Sequence, residues 1–513
     1  YKLKAVLKDQ ETGESYLVNG KEVTAEKIFS ATASAMNVDV LITADLSNTA
    51  GKKLVVYEYL YQIVDGKEIL ISSHEDIHDE KQTITIPKQE IRTTAKDKNT
   101  NTSEAIAKKE ATIIDTVSYS GLIVGQEYTV KGVLMLKGTN EPLLVNGKKV
   151  TAEKTFVPEK SSGSVDVEFT FDASALQGEA VVVFEHLYVQ DVEVASHTDI
   201  EDQGQTVDYP EHEIKTTAKD KDTQKSEGIA KKNATIIDTV SYSGLIMGQE
   251  YTVKGVLMLK GTNEPLLVNG KEVTAEKTFV PEKSSGSVDV EFTFDASALQ
   301  GEAVVVFEHL YVQDVEVASH TDIEDQGQTV DYPEHEIKTT AKDKDTQKSE
   351  GIAKKNATII DTVSYSGLII GQEYTVKGVL MLKGTKKPLL VNGKEVTAEK
   401  TFVPEKSSGS VDVTFTFDAS TLKGESVVVF EHLYADGVEV ASHTDINDKG
   451  QTVTYKLGKL KVTMPNQKNS GLITALKTGD MLAVTPYIVL LMLAGTTILV
   501  LAKRKKKEVI DEK

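Results

Sequence analysis

Cysteine is absent from the 513-residue chain, and so is tryptophan. Without cysteine there is no disulfide, Cys-ligated zinc, iron–sulfur cluster or thiol catalysis. Positive charge is also scarce: 58 Lys plus Arg stand against 78 Asp plus Glu, a formal net charge of -20. That balance argues against a nucleic-acid partner held through its phosphates and describes a soluble, self-repelling surface. No charged-then-apolar leader follows Tyr1, and no long helical pattern precedes residue 480. The remaining composition, 39% hydrophobic and 27% charged, is that of ordinary globular domains. At about 150 residues per domain, the length suggests three or four of them.

What the chain does have is repetition. His197-Thr-Asp-Ile-Glu-Asp202-Gln-Gly-Gln205-Thr-Val returns unchanged at His320–Val330, and as His443-Thr-Asp-Ile-Asn-Asp448-Lys-Gly-Gln451-Thr-Val, each step being 123 residues. A diverged copy, with His74, Asp79 and Gln82, lies another 123 residues upstream. The map that follows is a partial unit at 1–86, full units at 87–210, 211–333 and 334–456, and a different tail from 457. Pro87, Pro210 and Pro333 mark the joints. Tyr1-Lys-Leu-Lys-Ala-Val-Leu aligns with Tyr128-Thr-Val-Lys-Gly-Val-Leu, so the first unit lacks its opening residues and the chain reads as a fragment.

Within a unit the apolar period is near two. Tyr128–Met135, Val165–Phe171 and Ala180–Tyr188 read as strands rich in β-branched and aromatic residues. Asn146-Gly147 predicts a type I′ hairpin. Asp172-Ala-Ser-Ala-Leu is a candidate for one short helical turn. Several short strands in about 120 residues predict an all-β fold of tandem Ig-like sandwiches.

Polar residues at apolar positions carry the chemistry. Alternation places Glu185 on one face with Val181, Val183 and Leu187, and Phe184, His186 and Tyr188 on the other. Either face can be the core; if it is the Glu185 face, a carboxyl group is buried where its protonated form is favoured. The first unit keeps Glu58 at this position but has Tyr59 in place of His186, so His186, His309 and His432 are read as surface side chains. A Thr near the start of a unit, a Gln near its end, and a His with two carboxylic side chains are the parts of an acyl transfer. Spacing alone does not bring them together, and solvated Thr and Gln on edge strands are the plain alternative. Asp220-Lys-Asp222-Thr-Gln-Lys-Ser-Glu lacks the spacing and central Gly of an EF-hand and reads as a solvated loop.

Four motifs recur together: Ile-x-Thr-Thr-Ala-x-Asp, Ile-Ile-Asp-Thr-Val-Ser-Tyr-Ser-Gly-Leu, Val-Val-Phe-Glu, and His-x-Asp-x-x-Asp-x-x-Gln-Thr. Over residues 1–456 they resemble the VaFE-repeat, or Thr–Gln ester-bond, Ig-like domains of Gram-positive surface adhesins. The resemblance implies ester bonds Thr93–Gln205, Thr216–Gln328 and Thr339–Gln451. It assigns assisting roles to Glu185, His197 and Asp202 in the first, Glu308, His320 and Asp325 in the second, and Glu431, His443 and Asp448 in the third. Thr93 is chosen over Thr94 on the family pattern and on sharing a face with Ile91 and Ala95. Gln82 has no Thr partner within the chain. Asp115, Asp238 and Asp361 are candidates for contact with the site, a turn or cap role being preferred. The implied reaction is a single intramolecular turnover without cofactor or metal, not an enzyme. A ligand-binding repeat array and Lys isopeptide cross-links are the alternatives.

The tail differs. Met481–Ala502 is uncharged over 22 residues, long enough as a helix to cross a bilayer, and Lys503–Lys507 is wholly basic. The expected layout is a linker and sorting signal at 457–480, a transmembrane helix at 481–502 and a cytoplasmic tail at 503–513, with the repeats outside. Leu476, Thr478 and Gly479 resemble a sortase signal that lacks its usual Pro. This implies sortase and peptidoglycan as partners, the cell wall as location, and a host or surface ligand engaged by a region upstream of Tyr1.

Overall fold

The computed structural model describes residues 1–47 and 49–456. The expected sorting signal with Leu476, Thr478 and Gly479, the transmembrane helix and the basic tail lie outside the described residues. Among the described residues no helix is long and apolar enough to cross a membrane. The expected all-β tandem repeats are present.

In residues 87–210 the chain runs through β1 (Glu90–Asp97), β2 (Ala111–Ser120), β3 (Tyr128–Leu136), β4 (Thr151–Phe156), β5 (Gly163–Phe171), β6 (Glu179–Val189), β7 (Val192–His197) and β8 (Thr206–Tyr209). Counterparts recur 123 and 246 residues further on, with small differences at their ends. One antiparallel sheet is ordered β5-β2-β1. In the other, β3 and β6 pair at the centre, β4 pairs β3, and both β7 and β8 pair β6. The first and last strands of each unit therefore belong to different sheets.

Alternation explains the core. In β2 the inward residues are Ala111, Ile113, Asp115 and Val117, and in β6 they include Val181, Val183, Glu185 and Leu187. Together with Val130, Leu134, Val167 and Phe169 they fill the space between the sheets. The face left undecided by alternation is thus the Glu185 face. His186 is half-buried on the other side, paired with Glu193 at 3.1 Å.

Asn146 and Gly147 have φ of 53° and 75°, the two positive values a type I′ turn requires, and Val145 pairs Lys148 across them. At Asp172–Leu176 the chain makes a single turn that does not extend into a helix, closed by the Leu176 N–H to the Ala173 carbonyl at 2.9 Å. The Asp172 carboxylate braces its start, accepting from the Ser174 N–H at 3.0 Å and from its hydroxyl.

Consecutive complete units are packed together. Ile106 joins the core of residues 211–333 and Ile229 that of residues 334–456, each 1% exposed, whereas the corresponding Ile352 is 52% exposed. His212, just after the joint at Pro210, is buried between the Pro210 carbonyl and the Tyr251 hydroxyl. Residues 1–86 form a five-stranded sheet and a two-stranded hairpin, Leu17–Val18 with Lys21–Glu22. The segment 36–44, in the position of β5, belongs to no strand.

Candidate functional site

The site lies where β1 of one sheet meets the turn entering β8 of the other. β1 alternates, turning Ile91, Thr93, Ala95 and Asp97 inward and leaving Thr94 exposed. Thr93 is therefore the residue available to the interior. Gln205 ends a single 3-10 turn, Gln203–Gln205, whose N-cap is Asp202; the Asp202 carboxylate accepts from the Gly204 N–H at 2.6 Å. The cap fixes where the Gln205 side chain enters the core.

Gln205 is fully buried and Thr93 is 5% exposed. The Gln205 Nε2 donates toward Thr93 Oγ1 at 2.9 Å, the Val183 carbonyl at 2.5 Å and the His197 carbonyl at 3.1 Å. Its Oε1 has no partner among the described groups.

His197, at the end of β7, has its tautomer set by its neighbours. The Thr93 N–H donates to Nδ1 at 3.1 Å, and a backbone amide has only a donor to offer, so Nδ1 carries no hydrogen. Nε2 faces Asp202 Oδ2 at 3.1 Å and donates to it. The bare Nδ1 also stands 3.4 Å from Thr93 Oγ1. Nucleophile, base and orienting carboxylate are thus in sequence, as general-base activation of a hydroxyl requires.

Beside Thr93 and His197 are two carboxyls, Asp115 on β2 and Glu185 on β6, both fully buried. The two carboxyls face each other, and the Thr93 hydroxyl is the other polar group at Asp115; no strict hydrogen bond reaches any of the four oxygens, so a proton shared within the pair relieves their burial. Burial raises both pKa values, that of Glu185 further because it also faces the Asp115 charge. At neutral pH the pair thus holds an acidic proton in a dry interior. Glu185 reaches this place by lying against Gly132, its partner across β3 and β6, where a Cβ would meet its carboxyl oxygens and the Phe169 ring.

The T-Q ester bond containing domain model matches residues 1–86, 89–209, 212–332 and 335–455. The chain belongs to this family.

In the T-Q ester bond domain at 211–333, Gln328 Nε2 is 2.9 Å from Thr216 Oγ1, the Thr216 N–H is 3.1 Å from His320 Nδ1, and His320 Nε2 is 3.1 Å from Asp325. In the domain at 334–456 the same distances are 3.0, 3.1 and 3.4 Å, for Gln451–Thr339, Thr339–His443 and His443–Asp448. Glu308 with Asp238 and Glu431 with Asp361 form the buried carboxyl pairs, with both pKa values raised mainly by burial. In the domain at 1–86, His74 still pairs with Asp79 at 3.1 Å, and Gln82 Oε1 is buried without a partner.

No curated protein matches the chain. Among solved structures, a bacterial adhesin from Mobiluncus mulieris containing intramolecular disulfide, isopeptide and ester bond cross-links is 15% identical, over 50% of this chain and 87% of its own, with a TM-score of 0.22. A 1.5-MDa bacterial ice-binding adhesin is 14% identical over 72% and 98%, with a TM-score of 0.28. The C-terminal domain of a Streptococcus agalactiae AgI/II polypeptide is 10% identical over 45% and 100%, with a TM-score of 0.24.

Two sequence expectations change. Asp115, Asp238 and Asp361 occupy neither a turn nor a cap: each lies mid-strand, fully buried, as half of the carboxyl pair. The signal was present in Ala-Thr-Ile-Ile-Asp-Thr-Val, where alternation puts the Asp on the apolar face. Asp220 is likewise no part of a solvated loop, being 1% exposed at the end of its strand.

Proposed function

We propose that each complete unit cross-links itself through an ester between Thr93 and Gln205, Thr216 and Gln328, or Thr339 and Gln451. The reading is carried by one arrangement found three times over: a buried Gln amide nitrogen within 3.0 Å of the hydroxyl of a Thr whose own backbone N–H is bonded to the bare His nitrogen. His197 Nδ1 takes the Thr93 hydroxyl proton as Oγ1 attacks Gln205 Cδ. The carbonyl's developing charge is met by the proton of the Glu185–Asp115 pair. The Oγ1–Cδ bond forms, the Cδ–Nε2 bond breaks, and the proton returns from His197 to the nitrogen, which leaves as ammonia. Asp202 steadies the imidazolium that exists between these steps. His320 and Asp325, with Glu308 and Asp238, act alike in the second unit, and His443, Asp448, Glu431 and Asp361 in the third.

The substrate is the chain's own carboxamide, so each site turns over once. An isopeptide would need a lysine amine, and the groups around the Gln205 nitrogen are Thr93, Val183 and His197. Intact-mass measurement decides the matter: three ammonias should be missing, and hydroxylamine should reopen the links, as it would not an amide. A mass equal to that of the unmodified sequence overturns the reading.

We further propose that the repeats form the stalk of a surface adhesin, holding a ligand-binding region away from the cell. Sortase would cut between Thr478 and Gly479 and join Thr478 to peptidoglycan, after residues 481–502 and 503–513 had held the precursor in the membrane. Wall-extracted protein should end at Thr478; recovery of the apolar tail on such protein would overturn the anchoring.

A further inference from the structure

Thr216 lies on a strand of one sheet and Gln328 in the turn that enters the last strand of the other; no ladder joins those two strands, and a single backbone bond, Ala218 N–H to the Gly327 carbonyl at 2.8 Å, ties the strand to the turn beside the reacting groups. Before any bond exists, something must hold their register for a hydroxyl to stay at attack distance. A second connection between the same strands stands four residues from each reacting group: Asp220 is four beyond Thr216, and Tyr332 four beyond Gln328.

Asp220 Oδ1 accepts from the Asp222 and Thr223 N–H groups at 3.0 and 2.9 Å. The Thr223 hydroxyl donates to the Glu227 carbonyl at 2.6 Å, closing the loop from the other side. The closed loop then grips the last strand: Gly228 N–H donates to the Asp331 carbonyl and Asp331 N–H to the Ser226 carbonyl, both at 2.8 Å, with Glu227 and Asp331 in a parallel bridge. Asp220 Oδ2 is turned inward, buried without a donor, in the same interior as the unpartnered Tyr332 hydroxyl. Both lie against Gly228, where an added Cβ would come within 2.9 Å of the Tyr332 ring and 3.0 Å of Asp220 Oδ2.

The other complete units repeat this with altered neighbours. Asp97 accepts from Asn99 and Thr100 N–H at 3.0 and 2.8 Å, and the loop holds Asp208 through the Ser103 carbonyl and the Ala105 N–H. Asp343 accepts from Asp345 and Thr346 N–H at 3.1 and 2.9 Å, and here the grip extends to a parallel strand pair, Glu350–Ile352 with Thr454–Lys456. Loop composition differs between Asn101-Thr102 and Gln224-Lys225, while the aspartate, the Thr three residues on and the grip do not.

We propose that Asp97, Asp220 and Asp343 are positioning residues for ester formation. Each folds the loop that clamps the Gln-bearing strand in register with the Thr-bearing strand. None touches the reacting atoms. The effect is one of proximity, for which a misplacement of an ångström costs on the order of a hundredfold in rate.

The inference rests on the ester reading, and the chain supplies its own controls. The full chain is synthesised in a cell-free system, quenched at intervals and digested, and the joined peptides of each unit are counted by mass. Asp220→Ala should slow the Thr216–Gln328 link by roughly ten- to a hundredfold, with the other two units unchanged. Asp220→Asn, whose carbonyl still accepts from both amides, should restore the rate to within about threefold. Hydrogen exchange at the buried strands Tyr251–Leu259 and Glu302–Val312 should stay protected in both variants. An unchanged rate in Asp220→Ala overturns the proposal, as does slowing that tracks loss of core protection, which would make the role one of folding. Failure of all three units to link would sink the ester reading instead.

Discussion

Replacing Thr216 by Val removes one hydroxyl and keeps the shape of a buried side chain. If the ester reading is right, the cost to residues 211–333 is far larger than one hydrogen bond. Thr216 and Gln328 are 112 residues apart. Closing a loop of that length is worth about 5 kcal/mol by the chain-entropy model of cross-links. The lost local contact is smaller, because the Gln328 nitrogen keeps the Val306 and His320 carbonyls at 2.6 and 3.1 Å, so about 1 kcal/mol is a fair figure for it. At about 2 cal/mol/K of unfolding entropy per residue, a unit of this size loses ~4 °C for each kcal/mol, so its melting point should fall by about 20 °C. Calorimetry of the full chain would read this as one transition displaced from the rest, and mass spectrometry as two ammonias lost instead of three. A variant unit melting within about 5 °C of its native counterpart, or a chain still short of three ammonias, would refute the reasoning.

Glu185→Ala should leave residues 87–210 folded but unlinked, seen as loss of the Thr93–Gln205 peptide alone; persistence of that peptide removes Glu185 from the mechanism. In an unlinked unit, the raised pKa values of Glu308 and Asp238 mean that the folded state binds more protons than the unfolded one. Their contribution is therefore full below the ordinary carboxyl range and lost as pH rises toward and past neutrality. Denaturation of the Thr216→Val chain should show that unit weakening with rising pH, and a rise in its stability over that window contradicts the assignment. Ile229→Ala should cost about 2–4 kcal/mol in the unit at 334–456, although Ile229 belongs to the unit before it, while Ile352→Ala should cost little. Equal effects from the two would mean the joint is not packed in solution. Under a pulling force, only the residues outside Thr216 and Gln328 should extend, roughly 40 Å at about 3.4 Å per residue, against some 400 Å for an unlinked unit.

The repeats, the β class and the Thr and Gln were legible because each rests on period or recurrence. Thr93 shares a period of two with Ile91 and Ala95, and the burial of Thr93 beside an exposed Thr94 follows that pattern directly. Glu185 was undecided because both faces of Val-Val-Val-Phe-Glu-His-Leu-Tyr are largely apolar, and only the partner sheet determines which one is covered. Asp115 is a candidate for the site in the sequence, but an aspartate read alone favours a turn. Its partner is Glu185, 70 residues away on the other sheet, and proximity across a sandwich leaves no mark in local sequence. Asp220 was misread for a related reason: a string of polar residues looks solvated, yet the first of them is the buried one that organises the rest.

With the proposed esters in place, cross-links and joints would divide the load between them. Force enters a unit within a few residues of Thr216 and leaves within a few of Gln328, so an ester there carries tension across the unit without loading β2 through β7. The joints have no cross-link to shield their backbone from extension and resist it through packing, and it is there that Ile106 and Ile229 cross into the following core and His212 and His335 are buried against Tyr251 and Tyr374. Cross-linking each unit would shift the weakest element of the proposed stalk to its joints, which would make an apolar side chain borrowed by the next core a mechanical part and not a detail of packing.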